Sequence, residues 1–168
     1  MSEGSDAHIG MARTLARKLL KRMGKADPPI LLRDVILYLR DHENIQGLSA
    51  YPVSDISEHM SGIIVIKEGI TTIGYNNRLH MNRQRFTVAH EIAHLVIGNV
   101  TCGIDNVFEN TDSPQETEAN QFAAELLMPR ESLKKDIRNG RKIPELALKY
   151  WVSEEAMGWK VRDLLSVT

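Results

Sequence analysis

Three side chains in the stretch from Phe86 to Gly98 have the types and spacing for metal chemistry: His90, Glu91 and His94, in the order His-Glu-x-x-His. On a helix the two histidines project from one face a turn apart, so both can reach one zinc ion while Glu91 points at the metal's open position. That is the arrangement a zinc peptidase uses. Asn82 is expected to cap the start of this helix and Gly98 its end, and the residues between are apolar nearly all round, so the helix should be buried. Two histidines and a glutamate on a buried helix are costly unless they are paired or hold a metal. Core hydrogen bonds would account for either histidine alone, but not for the three residues together.

A catalytic zinc takes three protein ligands and keeps a fourth position open. A third histidine is excluded, because that pattern needs glycine where Ile97 stands and histidine where Val100 stands. The third ligand is therefore sought on the next helix. Ser113 is its expected N-cap, Pro114 its first residue, and Glu116 the second half of a capping box, which commits Glu116 to the helix terminus. Ala119, Phe122, Ala123, Leu126 and Leu127 form its core stripe, and Met128-Pro129 ends it. Glu118 and Glu125 both flank that stripe, and periodicity leaves both open as ligands. Cys102, in the polar connection from Asn99 to Asp112, reads as an incidental loop cysteine rather than a thiolate ligand. Tyr75 and His80 are candidates to polarise a carbonyl, with plain core or surface placement the stronger reading for each.

The elements that must position these residues follow from periodicity. Ile9, Ala12, Ala16, Leu19, Leu20 and Met23 recur at helical spacing and Gly24 stops the run, with Arg13, Arg17, Lys18, Lys21 and Arg22 on a face read as solvated. Pro28-Pro29 are expected to start a second helix that runs to about His42. The period then becomes extended: Leu48 to Val53, Gly62 to Ile66 and Thr71 to Tyr75 read as strands of a small antiparallel sheet just ahead of the metal helix. An edge strand beside a zinc site can hold an extended peptide by main-chain pairing. The fold class expected is α+β, with helices packed on a small, mostly antiparallel sheet and the metal held between two helices.

Composition narrows the function classes. At 168 residues the chain suits one compact domain, or a domain with a small appendage, and 42% hydrophobic with 26% charged residues is ordinary for a globular protein. A formal net charge of -1 makes no general electrostatic case for nucleic acid or membrane. Residues 1–129 carry 12 Lys+Arg against 16 Asp+Glu, while residues 130–168 carry 9 against 6, so a mildly basic tail follows an acidic body. The single cysteine excludes an internal disulfide, and no apolar run approaches a membrane span, so a cytoplasmic protein is expected. The division expected is a metallopeptidase domain over 1–130 and a C-terminal helical unit over 131–168.

Two segments together, Arg85-Phe86-Thr87-Val88-Ala89-His90-Glu91-Ile92-Ala93-His94 and Glu118-Ala119-Asn120-Gln121-Phe122-Ala123-Ala124-Glu125-Leu126-Leu127-Met128-Pro129, resemble the ImmA/IrrE family of bacterial and phage metallopeptidases. The resemblance implies a zincin-like fold, a zinc cofactor, and Glu118 as the third metal ligand beside His90 and His94, with Glu91 as the catalytic base. It gives Asn120 and Glu125 supporting or packing roles. It also implies a protein substrate, a helix-turn-helix transcriptional repressor whose cleavage relieves repression. A non-catalytic, zinc-stabilised regulator that binds a repressor or DNA is the alternative, and the toxin partner of a DNA-binding antitoxin is a third reading. From Leu146 to Met157 the chain looks like the first helix, turn and second helix of a helix-turn-helix. Trp151 stands where a turn glycine is expected, and Glu154 and Glu155 at the start of the second helix would be repelled by phosphates, so direct DNA binding is not favoured.

Overall fold

The computed structural model describes residues 5–98, 100 and 113–166. The residue Cys102 lies outside them. The elements run α1 (Ser5–Met23), α2 (Leu32–His42), β1 (Ser49–Val53), β2 (Gly62–Lys67), β3 (Ile70–Asn76), α3 (Met81–Ile97), α4 (Pro114–Leu127), α5 (Arg130–Arg138), α6 (Ile143–Tyr150) and α7 (Glu154–Ser166). The fold is α+β, and α3 lies at its centre, packed on α4, on β2 and β3, and on α1 and α2. Ala89, Ile92 and Ala93 of α3 are fully buried against a core that includes Phe122, Ala123 and Leu126 of α4 and Ala12, Ala16 and Leu19 of α1. Small residues at Ala12, Ala16, Ala119 and Ala123 let the α1, α3 and α4 backbones approach closely, which is why α4 packs extensively on both neighbours.

The sheet is mixed, in the order β1-β3-β2. β2 and β3 form the antiparallel hairpin, with Gly62 opposite Tyr75 and Ile64 opposite Ile73. β1 pairs with β3 in parallel, Ser49 opposite Thr72, because the hairpin folds back and brings β3, not β2, beside β1. Among the described residues, that leaves β1 and β2 as the two edges.

Several local expectations change for identifiable reasons. The second helix begins at Leu32 and not at the prolines, since Leu31 holds extended backbone at φ -81°, ψ 113°. The helix α3 starts one residue before Asn82, with His80 as N-cap, its ring nitrogen Nδ1 accepting from the Asn82 amide at 3.2 Å. Part of the α1 basic face is turned inward: Arg13 donates to Gln121 Oε1 at 2.9 and 2.6 Å and pairs with Asp163 at 3.1 Å, so it ties α1 to α4 and α7. Gly98 does close α3, in the left-handed conformation at φ 83°.

The last three helices share the core through Leu133, Leu146, Tyr150 and Met157, and polar contacts tie them to one another and to the rest. Asp136 of α5 is buried and accepts from Lys149 and from the Tyr150 hydroxyl of α6 at 2.7 and 2.8 Å. Burial opposes ionisation of Asp136, but the Lys149 and Tyr150 hydrogen bonds outweigh it and hold the carboxyl below its usual range. Lys160 of α7 reaches Glu125 of α4 at 2.6 Å, with the two side chains 6% and 1% exposed. Between α6 and α7, Trp151 takes the left-handed conformation at φ 56°, the geometry for which a glycine is the usual residue. Its ring lies under the Arg85 guanidinium, 5.6 Å from the centroid, and Arg85 also donates to the Ile30 carbonyl.

Candidate metal centre

The two histidines and the glutamate of α3 sit where the helix places them, and α4 supplies a second group. His90 Nε2 and His94 Nε2 are 3.0 Å apart. Between them come the two carboxylate oxygens of Glu116, Oε2 at 3.0 Å from His90 Nε2 and Oε1 at 3.1 Å from His94 Nε2. Four-coordinate zinc with bonds of 2.0–2.1 Å sets neighbouring ligand atoms about 3.3 Å apart, so this triangle is close to the face a tetrahedral ion would occupy. One ligand atom from each of His90, His94 and Glu116 lies within 4.8 Å of the others. The donor set of two imidazole nitrogens and one carboxylate oxygen suits zinc.

Glu116, not Glu118, is the carboxylate that the structure brings to the imidazoles. The capping box expected at the start of α4 is formed only by its serine: Ser113 Oγ accepts from the Glu116 amide at 3.2 Å, while the Glu116 side chain turns to α3. The division follows from helix faces. Glu116 and Asn120, one turn apart, look at α3. Glu118, Gln121 and Glu125, at i, i+3 and i+7, look at α1 and α7. Glu118 is 7% exposed and its Oε1 lies 3.2 Å from His8 Nδ1 of α1, and Glu125 meets Lys160. The signal that finds Glu116 in sequence is its position one turn before Asn120, which capping logic set aside.

Asn120 fixes the orientation of one imidazole. Its Oδ1 lies 2.9 Å from His90 Nδ1. An acceptor at Nδ1 favours a proton there, so that once Nε2 gives up the proton it shares with Glu116, its lone pair faces the ligand triangle for a metal.

Electrostatics follow from this crowding. Burial works against a charged His90, yet its hydrogen bond to Glu116 and the charges of Glu91 and Glu116 outweigh that, so its pKa is raised. Burial likewise opposes ionisation of Glu116, but the hydrogen bonds from His90 and His94 dominate and bring its carboxyl down to about 2. Glu91 moves the other way: burial raises its pKa against the lowering influence of the two histidines. A carboxylate with a raised pKa beside a ligand triangle is suited to accept a proton.

Gly62 brings the sheet to this centre. A Cβ at Gly62 would lie 2.5 Å from Thr87 Cγ2 and 2.7 Å from Glu91 Oε1, so only a glycine lets the start of β2 rest on the Thr87–Glu91 stripe of α3. Tyr75, opposite Gly62 on the central strand, is packed against the core, and His80 is engaged in capping α3.

A family model described as the IrrE N-terminal-like domain, Peptidase_M78, matches residues 53–162, from the end of β1 into α7 and across residue 130. Compared with curated proteins, the chain matches none. Among solved structures it is similar to a Mycobacterium tuberculosis transcriptional regulator, with a TM-score of 0.65 and 15% identity over 91% of this chain and 47% of that one. The chain thus spans about half the length of that regulator, and the likeness is one of fold. Among the described residues no helix is long and apolar enough to cross a membrane.

Proposed function

Because the chain belongs to the family of IrrE N-terminal-like domains, a peptidase family, we propose that it is a zinc-dependent endopeptidase that cleaves a specific protein partner. The partner that the ImmA/IrrE resemblance implies is a helix-turn-helix transcriptional repressor. The observation that carries the reading is the convergence of His90 Nε2, His94 Nε2 and the Glu116 carboxylate at 3.0–3.1 Å, with Glu91 beside them.

In this proposal His90, His94 and Glu116 hold the metal. A zinc ion bound there would supply Lewis acidity, making water more acidic and a peptide carbonyl more electrophilic. Glu91, half-buried and with its pKa raised, takes the proton of the attacking water on a carboxylate oxygen and delivers it to the leaving amine. Asn120 holds His90 by its Nδ1 proton. The substrate runs as an extended segment along the outer edge of β2, the edge strand that Gly62 sets against Glu91, so that main-chain pairing presents a carbonyl to the centre.

Replacing Glu91 by Gln tests this. The variant should bind zinc, fold and dock the repressor normally while failing to cut it. Full relief of repression in cells by that variant would exclude the peptidase reading and leave sequestration as the activity.

A further inference from the structure

Pairing with an edge strand is blind to side chains, since it uses only the substrate's backbone. Selectivity must come from groups of this chain that reach the side chains of a bound segment. On α3, Arg83, Thr87 and Glu91 stand one turn apart along the stripe under the start of β2. Thr87 is buried beneath Gly62, so the two groups of that stripe able to meet a substrate are Glu91 and Arg83. The Arg83 side chain is exposed, and its Nη2 donates to Ser61 Oγ at 3.5 Å, beside the residue that touches Glu91.

Resting on the peptidase reading above, we propose that Arg83 determines specificity by receiving an acidic side chain of the substrate. Two turns of helix separate it from Glu91, about 12 Å, which corresponds to about three to four residues of an extended peptide. The acidic residue therefore lies within about four residues of the bond that is cut, on one side of it. Among the described residues no carboxylate forms an ion pair with Arg83, including Asp55 and Glu58, which are exposed in the connection from β1 to β2. Arg78 and the exposed ring of His80, both just ahead of α3, add no negative charge at this end of the path. A guanidinium, with its planar fork of donors, matches a carboxylate in two parallel hydrogen bonds.

Zinc-loaded wild type, Arg83→Gln and Arg83→Glu are incubated with a proteome-derived peptide library, and the new termini are read by mass spectrometry. Wild type should enrich Asp or Glu at one position about three to four residues from the cut, by roughly three- to fivefold for an exposed charge pair. Arg83→Gln should flatten that enrichment and Arg83→Glu should turn it toward Lys or Arg at the same position. Cutting by wild type without an acidic preference, or with one that Arg83→Glu leaves in place, overturns the role of Arg83 and leaves the peptidase reading standing. A wild type that cuts the repressor but no library peptide overturns selection by Arg83 alone, and one that cuts neither overturns the peptidase reading as well.

Discussion

Replacing Gly62 by Ala is a perturbation whose size can be worked from the structure. The backbone at Gly62 is not in the left-handed region, so alanine adds no backbone strain and acts through its methyl group alone. That methyl would stand 2.5 Å from Thr87 Cγ2 and 2.7 Å from Glu91 Oε1, where carbon contacts settle at about 3.5–4.0 Å. Thr87 is 4% exposed and held in the helix, whereas the Glu91 carboxylate is the end of a longer side chain. Relief therefore comes from a shift of β2 and a swing of Glu91. Overpacking of this kind costs about 1–3 kcal/mol, which for a chain of this size lowers Tm by roughly 2–12 °C. Displacing Glu91 by about 1 Å should reduce cleavage by about 100-fold. Zinc affinity should stay near the wild-type value, because Glu91 is not a ligand. Thermal denaturation, a zinc titration and a cleavage assay separate the three effects. Adding Thr87→Ser removes the methyl group of the closest contact and should recover part of the stability, which a double-mutant cycle measures. Wild-type Tm and wild-type cleavage in Gly62→Ala would refute the close approach of β2 to Glu91.

Other outcomes follow from the same geometry. Asn120→Leu should weaken zinc binding by about 10–100-fold while Asn120→Asp retains it, since an oxygen acceptor for the His90 Nδ1 proton is what the position supplies; isothermal titration reads the difference. In protein stripped of metal, the Glu116 carboxyl is held down to about 2, below its usual 4.5. Its contribution is thus present above pH 4.5 and lost as pH falls from there toward 2, by roughly 1–3 kcal/mol, and Glu116→Gln should remove that part of the acid-denaturation profile. Lys160→Met should destabilise by about 3–5 kcal/mol because it strands the buried Glu125 carboxylate, and the double variant Lys160→Met with Glu125→Leu should recover most of the loss in chemical denaturation.

What the chain's order of residues discloses is mostly local. The His90-Glu91-x-x-His94 set could be read because helix period alone puts its members on one face, and α4 and its serine cap were legible for the same reason. The choice among glutamates was not. Glu116 has a plausible local use as a capping residue, and only the packing of α4 between α1 and α3 decides that residues 116 and 120 face the histidines while 118 and 125 face α1 and α7. Glu118 stands in the segment that resembles the ImmA/IrrE family, but a resemblance gives no helix orientation. Long-range pairing was equally hidden: the parallel placement of β1 beside β3 depends on where the hairpin folds back, not on the alternation within any strand. The inward turn of Arg13 is a tertiary matter too, since its partners Gln121 and Asp163 lie over a hundred positions away. Gly62 looks like a residue at the start of a strand, and its role emerges only when β2 is seen to rest on Glu91.

The central claim is that His90, His94 and Glu116 together hold one zinc ion. Zinc affinity and stoichiometry of purified wild type, Glu116→Gln and Glu118→Gln, measured by competition with a chromophoric chelator, test it most directly. Wild type should bind one zinc per chain, Glu118→Gln should bind it nearly as well, and Glu116→Gln should lose more than about 100-fold in affinity, beyond the range expected for an outer-shell partner. Loss of zinc in Glu118→Gln with full retention in Glu116→Gln would contradict the account.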